Sequence, residues 1–285
     1  MSPGSSTAGA PSSGSAAPRR RRDAVVPPQH GAWAFLALPL VVGAVVAPAA
    51  ARSWWVDLVV LGVAWVAAYP LTWAVAGRLA APRPERFDRP LRIWAGVFAL
   101  PALVSFVWHP WLWVPGAVLA ALFGVNLLHA RRRAERSLTN DAVLVLECAL
   151  VVPVVAGLGA PRGDWNVPWD RVLEPHVLLA ALLCALTLGE STLHVRSYLR
   201  ERANPAFGRL ADGAAVASVA VATALALAWG GSDAWLLVLP YVWCVVRAFL
   251  QRARAARGVT LRPARLGLLE LVGFGALAVA VALAG

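Results

Sequence analysis

Charge is scarce in this sequence, and lysine is absent from it. Only 14% of the 285 residues are charged, against about 25% in a typical soluble domain. All 26 basic residues are arginines in short clusters between apolar runs, which leaves no soluble basic domain to bind nucleic acid. The three cysteines, Cys148, Cys184 and Cys244, lie far apart inside apolar runs, so neither a disulfide framework nor a zinc site is predicted. These absences exclude an ordinary soluble domain.

Hydrophobic residues make up 59% of the chain and form nine long runs. A helix needs about 20 apolar residues to cross a bilayer, and the runs show no alternation of period two. They predict an all-α, polytopic transmembrane helix bundle of about nine helices, because a helix satisfies its backbone groups internally within lipid. The predicted spans are 32–50, 56–77, 92–108, 111–130, 141–160, 175–195, 213–229, 234–250 and 265–284.

The N-terminal segment differs in composition from the rest of the chain. Residues 1–27 are rich in Ser, Gly, Pro and Arg and have few apolar side chains to bury, which predicts a disordered cytoplasmic tail. Residues 28–285 are predicted to form a single transmembrane helical domain. The run 32–50 is long for a signal peptide, so we expect it to be retained as the first helix.

Arginine placement predicts the topology. In the nine-span arrangement, 23 of the 26 arginines fall in the N-terminal arm and in alternate loops, and the remaining three are Arg52, Arg162 and Arg171. Positively charged loops stay on the cytoplasmic side. We therefore expect a multi-pass protein of the cytoplasmic (inner) membrane, with its N-terminus cytoplasmic, its C-terminus outside and the lipid bilayer as its main partner.

Polar side chains inside the predicted spans concentrate near the arginine-rich side, and the outer halves are expected to be nearly free of charge. Glu190 and His194 are four residues apart on one helix face, and we predict them as catalytic candidates. The predicted substrate-binding residues are His30, Asn126, His129, Asn140, Arg196, Arg200, Arg202 and Glu270. Two interpretations stay open: a shared cytoplasm-facing polar cavity, or separate placement of each group at the interface.

Four stretches resemble the YwiC-like family of bacterial membrane proteins. They are PQHGAWA at 28–34, AYPL at 68–71, RAERSLTND at 133–141 and VRSYLRER at 195–202. Together they span most of the chain after residue 27. The resemblance implies a polytopic membrane protein and brings no particular activity with it.

The predicted architecture also resembles that of UbiA-type prenyltransferases, which have nine helices and a cytoplasm-facing site. In that family, aspartate-rich motifs after the second and sixth helices hold magnesium on an isoprenoid diphosphate. This sequence departs from the motifs, because the corresponding loops offer only Glu85 and Asp88, and then Glu201 and Asp212. The resemblance implies that any enzymatic activity is prenyltransferase-like, but no metal site is predicted and no cofactor is indicated.

Three functions fit the sequence. The first is binding or modifying an anionic amphiphile, isoprenoid- or phospholipid-like (an isoprenoid diphosphate, for example), because arginines flank the polar set and suit phosphate. The second is a transporter or permease that uses its intramembrane acids. The third is a non-catalytic membrane scaffold in which the polar groups only join helices.

Overall fold

The computed structural model describes residues 25–27, 32–47, 54–259 and 263–285, and these residues form an all-helical structure with no strand. The ten α-helices are α1 (Ala32–Val46), α2 (Trp54–Ala80), α3 (Asp88–Trp108), α4 (Trp113–Arg131), α5 (Leu138–Gly157), α6 (Trp169–Val172), α7 (Pro175–Leu199), α8 (Pro205–Trp229), α9 (Leu239–Ala256) and α10 (Pro263–Ala284). The all-α prediction is confirmed. The predicted tail, 1–27, lies almost entirely outside the described residues.

Local sequence signals fix several of these helix ends. The Ser137 hydroxyl accepts a hydrogen bond from the Asn140 backbone at the start of α5, and the side chains of Glu174 and Asn204 cap α7 and α8 in the same way. Such caps satisfy backbone N–H groups that a first helical turn leaves free. Gly230 ends α8 with a φ of +79°, a conformation that favours glycine.

Within the described ranges, eight helical segments are long and apolar enough to cross a membrane. They coincide with the predicted second to ninth spans, so the polytopic prediction is confirmed for them. Helix α1 covers the described part of the predicted first span and is apolar, but it has only 15 residues. The short α6 was not predicted from the sequence.

The helices form a tightly packed group and a looser one. Helix α1 packs against α5, α7 and α10, and the shared core of this group includes Val42, Val152, Leu183 and Leu277, all fully buried. Helices α3 and α4 are mostly exposed, and α2 packs against both of them. The packed group therefore buries its side chains against protein, while α3 and α4 present most of theirs to the surroundings.

Side-chain contacts bring the arginine-rich loops to one end of the bundle. Arg196, near the end of α7, donates to Asp141 at the start of α5 over 2.9 Å. Arg252, near the end of α9, pairs with Asp212 of α8 over 2.9 Å. We call this the arginine-rich end.

Contacts between other helix termini define the opposite end. The His176 ring, at the start of α7, lies 3.1 Å from the carbonyl oxygen of Trp229, where α8 ends. The Trp229 indole donates to the carbonyl of Ala284 at the end of α10 over 3.1 Å. The arginine-rich loops thus lie together as expected, and which end faces the cytoplasm stays a prediction from arginine placement.

A close approach of α1 and α5 gives the first testable prediction. A Cβ atom at Gly43 would lie 2.8 Å from Val155 Cβ and 3.0 Å from the Val152 carbonyl oxygen, neither of which rotates away. We expect Gly43→Ala to lower the free energy of unfolding by about 1–3 kcal/mol through overpacking. Denaturant unfolding in mixed micelles measures this.

The matched control is Gly96→Ala on α3, where the added Cβ meets nothing within 4 Å. It should leave stability unchanged or raise it slightly, because alanine is the better helix former. Equal stability of the two variants would contradict the close α1–α5 contact.

Candidate functional site

Five side chains from three helices meet in what we call the polar core cluster: Glu190 and His194 of α7, Arg247 and Gln251 of α9, and Glu270 of α10. The Arg247 guanidinium donates to Glu190 over 2.6 Å and also to Glu270. The His194 Nε2 atom lies 2.8 Å from the Gln251 side-chain oxygen. The cluster joins α7, α9 and α10 through one ion triad and one neighbouring polar pair.

The polar core cluster is shut off from the surroundings. Its five side chains belong to residues that are at most 5% exposed. One atom of each side chain is buried and has no hydrogen-bond partner among the described residues: Glu190 Oε1, His194 Nδ1, Arg247 Nε, Gln251 Nε2 and Glu270 Oε1. Buried polar groups are normally paired, so unpaired atoms concentrated in one place are typical of a functional or hydrated site.

Sequence reasoning missed Arg247 and Gln251. Arg247 was counted with the arginines of the loop that follows the eighth span, and the structure corrects this, because α9 continues to Ala256 and the guanidinium is buried. The missed signal was present in the sequence, since Arg247 falls inside the predicted span 234–250. A charge there favours an intramembrane partner, and Glu190 and Glu270 are its partners.

Asn126 and Glu147 form a separate polar pair. The Asn126 amide donates to the Glu147 carboxylate over 2.8 Å, which links α4 to α5. Asn126 was predicted as a substrate-binding residue, whereas Glu147 was not. The structure places this pair on helices α4 and α5, apart from the α7–α9–α10 polar core cluster.

His129 and Asn140 lie at the arginine-rich end and hold the α4–α5 connection. The His129 ring lies 3.0 Å from the Thr139 hydroxyl and 2.9 Å from the Val125 carbonyl oxygen. The Asn140 amide donates to the carbonyl of Glu135 over 3.1 Å. These contacts shape the loop, and no described contact joins either residue to Glu190 or Glu270.

The three predicted arginines of α7 and its following loop differ in their contacts. Arg196 is largely covered and pairs with Asp141 and Glu201, over 2.9 and 3.5 Å. Arg200 is half exposed and lies 3.8 Å from Asp141, while Arg202 is exposed. Arg196 therefore links α7 to α5 through its ion pairs, whereas Arg200 and Arg202 are exposed.

A cavity of about 360 Å³ lies among α2, α3, α4 and α5. Its wall is almost entirely apolar, and each of the four helices contributes to it, for example through Ala64, Phe98, Leu119 and Val151. The wall also includes the charged residue Glu147. We call it the α2–α5 cavity. Its volume falls in the range of about 300–1,000 Å³ that is usual for small-molecule sites.

The opposite end holds a second ion pair, formed by a buried acid near the start of α2 and a partly exposed arginine of the loop after α5. Asp57 of α2 is only 4% exposed, accepts from Arg162 and lies 3.2 Å from the His109 ring. The Arg162 guanidinium also stacks over Trp108, 4.0 Å from the ring centre. We call Asp57, His109 and Arg162 the opposite-end cluster.

The two neighbours of His109 act on it in opposite directions. Burial lowers the pKa of His109 below its ordinary value of 6.5, the hydrogen bond and charge of Asp57 raise it, and the charge of Arg162 lowers it again. Burial and Arg162 win, so the ring is neutral at pH 7. One ring nitrogen, Nδ1, is buried and has no hydrogen-bond partner in the part of the chain that the structure describes.

The predicted site residues thus fall into separate groups. Glu190, His194 and Glu270 come together, Asn126 joins Glu147, and the remaining described residues lie at the arginine-rich end. His30 lies outside the described residues. The catalytic and substrate-binding roles stay predictions, and the geometry groups the residues without testing those roles.

Comparison with known proteins gives the family. Residues 26–156 match the family model described as YwiC-like protein. The chain is 32% identical over 199 residues to "Uncharacterized protein YwiC" of Bacillus subtilis, which covers 65% of this chain and 71% of that protein. It is 28% identical over 223 residues to an "Uncharacterized protein" of Haemophilus influenzae, which covers 77% of this chain and 83% of that protein.

No solved structure matches the chain significantly, so the resemblance to UbiA-type prenyltransferases stays a prediction. The four stretches that resemble the YwiC-like family, the family match and the 32% identity to YwiC agree with one another. The eight long apolar helices agree with them as well. The chain therefore belongs to the YwiC-like family, and it is a multi-pass integral membrane protein.

Proposed function

We propose that this protein binds an anionic amphiphile, isoprenoid- or phospholipid-like, whose apolar chain occupies the α2–α5 cavity and whose charged group lies at the arginine-rich end. The observation that carries the proposal is the cavity of about 360 Å³ with a nearly continuous apolar wall. Apolar cavities inside proteins hold apolar groups in preference to water.

The charged group is assigned from the loop between α4 and α5. Arg131 ends α4, Arg132 and Arg133 follow it exposed to the surroundings, and Glu135 is the single acid within this loop. Arginine binds phosphate through paired, charge-assisted hydrogen bonds. The excess positive charge supports recognition of an anionic head group.

The distances agree with an amphiphile that lies along the membrane normal. Ala120 lines the cavity and precedes Arg131 by 11 residues on α4, a rise of about 16 Å. Half the hydrocarbon thickness of a bilayer is about 15 Å. A lipid whose head group contacts the arginine-rich end therefore has a chain long enough to reach the cavity.

The proposal assigns binding to the α2–α5 cavity and to the exposed arginines. Glu190 and His194 lie in another part of the bundle, and each is already paired and buried. Chemical modification of the amphiphile by these two residues, as acid and base, stays a prediction from the sequence.

Transport is less well supported by the described residues. The face of α7 that carries Glu190 continues toward the opposite end with Thr187, which bonds to Tyr241. Beyond Thr187 the face is fully buried and apolar, with Leu183, Ala180 and Val177. A transporter needs polar groups along its whole path. A scaffold role stays as the third prediction, and it would leave the α2–α5 cavity without a use.

Filling the cavity tests the proposal. Ala120→Phe places a ring in the α2–α5 cavity, and Ala117→Phe is the matched control, because Ala117 is exposed on the same helix and does not line the cavity. A clash between the ring and the lipid chain that costs about 1–3 kcal/mol of binding free energy corresponds to an affinity about 5- to 150-fold weaker in Ala120→Phe, and Ala117→Phe should keep its lipid. Mass spectrometry of lipids extracted from the purified proteins measures this.

Arginine variants test the charged group. Arg132→Ala should also reduce the anionic lipid that co-purifies, whereas Arg171→Ala, at the opposite end, should leave it unchanged. The proposal is wrong if the wild-type protein carries no anionic lipid, or if Ala120→Phe and Ala117→Phe retain equal amounts.

A further inference from the structure

The charges of the polar core cluster do not balance. Glu190 and Glu270 each contribute one carboxyl group, and the Arg247 guanidinium is the single cation among the described residues that contacts both of them. With both carboxyls ionised, this triad has a net charge of −1. It lies inside a membrane protein among residues that are at most 5% exposed, where an uncompensated charge is unfavourable.

The neighbouring helices do not supply the missing positive charge. On α7 the nearest ionisable side chain is His194, which is bonded to the neutral Gln251. Helix α9 adds the neutral thiol of Cys244, and the described part of α1 has no ionisable residue. Helix α5 adds Cys148, Glu147 and Asp141, and Asp141 is paired with Arg196 of α7. Arg265, near the start of α10, is exposed. Arg252 at the end of α9 is already paired with Asp212 of α8.

A line of polar side chains leads from the triad to the arginine-rich end. Glu190, His194 and Tyr198 are spaced four residues apart on α7, so they lie on one face over about 12 Å. The His194 and Tyr198 ring centres are 5.1 Å apart. His194 Nδ1 and the Tyr198 hydroxyl oxygen are buried and have no hydrogen-bond partner among the described residues.

We infer that the polar core cluster is a proton-binding site. One proton is shared by the carboxyls of Glu190 and Glu270, and it exchanges with water at the arginine-rich end by way of His194 and Tyr198. Binding converts one carboxylate to a carboxylic acid, which brings the triad to neutrality and leaves the other carboxylate paired with Arg247. This site is independent of the proposed amphiphile site, since the two share no residue.

Infrared spectroscopy tests the shared proton through the C=O stretch of a protonated carboxyl and its shift in D₂O. The measurements use the full chain in the Glu147→Gln background, because Glu147 is a further carboxyl inside the spans. At neutral pH we expect one such band. Both Glu190→Gln and Glu270→Gln should abolish it, because the carboxylate left in either variant balances Arg247 without a proton.

Several results would overturn the inference. The first is absence of the band in the Glu147→Gln protein, and the second is persistence of the band in either glutamine variant that folds. The third is a melting temperature that rises with sodium or potassium ions while no protonated carboxyl is seen, because a metal cation would then balance the charge. Tyr198→Phe tests the route separately: the band should remain, and its exchange in D₂O should become slower. An unchanged exchange rate would exclude Tyr198 from the route.

Discussion

Arg247→Met is expected to cause the largest loss of stability in this protein. Arg247 is 2% exposed and contacts both Glu190 and Glu270, so its removal leaves two carboxyls buried without their cation. Breaking a buried ion pair from one side costs about 3–5 kcal/mol. We expect a loss of this size in the free energy of unfolding, measured by denaturant titration in mixed micelles at neutral pH.

Two further variants separate lost pairing from lost packing. Arg257→Met removes an exposed arginine after the end of the same helix and should leave stability unchanged. Combining Arg247→Met with Glu190→Gln and Glu270→Gln should recover most of the loss, because no buried charge is then left unpaired. If Arg247→Met alone unfolds like the wild-type protein, the ion triad does not stabilise the bundle.

Asp57→Ala is expected to have the next largest effect, at the other end of the molecule. Asp57 bonds to both His109 and Arg162, and its removal leaves the His109 ring, 1% exposed, without a partner at Nε2. The Arg162 side chain is 39% exposed, so in the variant it is free to bind water, and this limits the loss of stability. Because the lost hydrogen bonds involve a charged group, we expect the free energy of unfolding to fall by about 2–3 kcal/mol in the same measurement.

The matched control is Asp233→Ala. Asp233 is an exposed acid at the same end, in the turn between α8 and α9, and its side chain caps no helix. Its removal should change stability little. The opposite-end cluster would have no stabilising role if the two alanine variants unfolded at the same denaturant concentration.

Most of the fold was predictable because lipid imposes a simple rule on the sequence. The predicted second to ninth spans all correspond to long apolar helical segments. The bounds of the second and of the fourth to ninth agree to within a few residues, except at the start of α8 and the end of α9. Helix α8 begins at Pro205 and not near residue 213, because Asn204 caps it and the helix extends past the apolar run. Capping sets helix ends outside the lipid, where hydropathy gives no signal.

The candidate site was predictable only in part. The spacing of Glu190 and His194 predicted that they lie on one helix face, and in the structure both are buried on α7. Their partners Arg247 and Gln251 belong to α9, and a single sequence does not state which faces of two helices meet. Asp57 was missed for a related reason, since its partner Arg162 is 105 positions away in the chain.

The sequence by itself determined that the chain is helical, that it lies in a membrane, and which loops carry the arginines. Each of these follows from the cost of placing polar backbone or charge in lipid, which acts on every segment separately. Only the tertiary structure decided that Glu190 and Glu270 share Arg247, that Glu147 faces an apolar cavity, and that His109 is buried beside Asp57. Those pairings depend on packing between distant helices, and packing energy depends on complementary shapes that no single segment encodes.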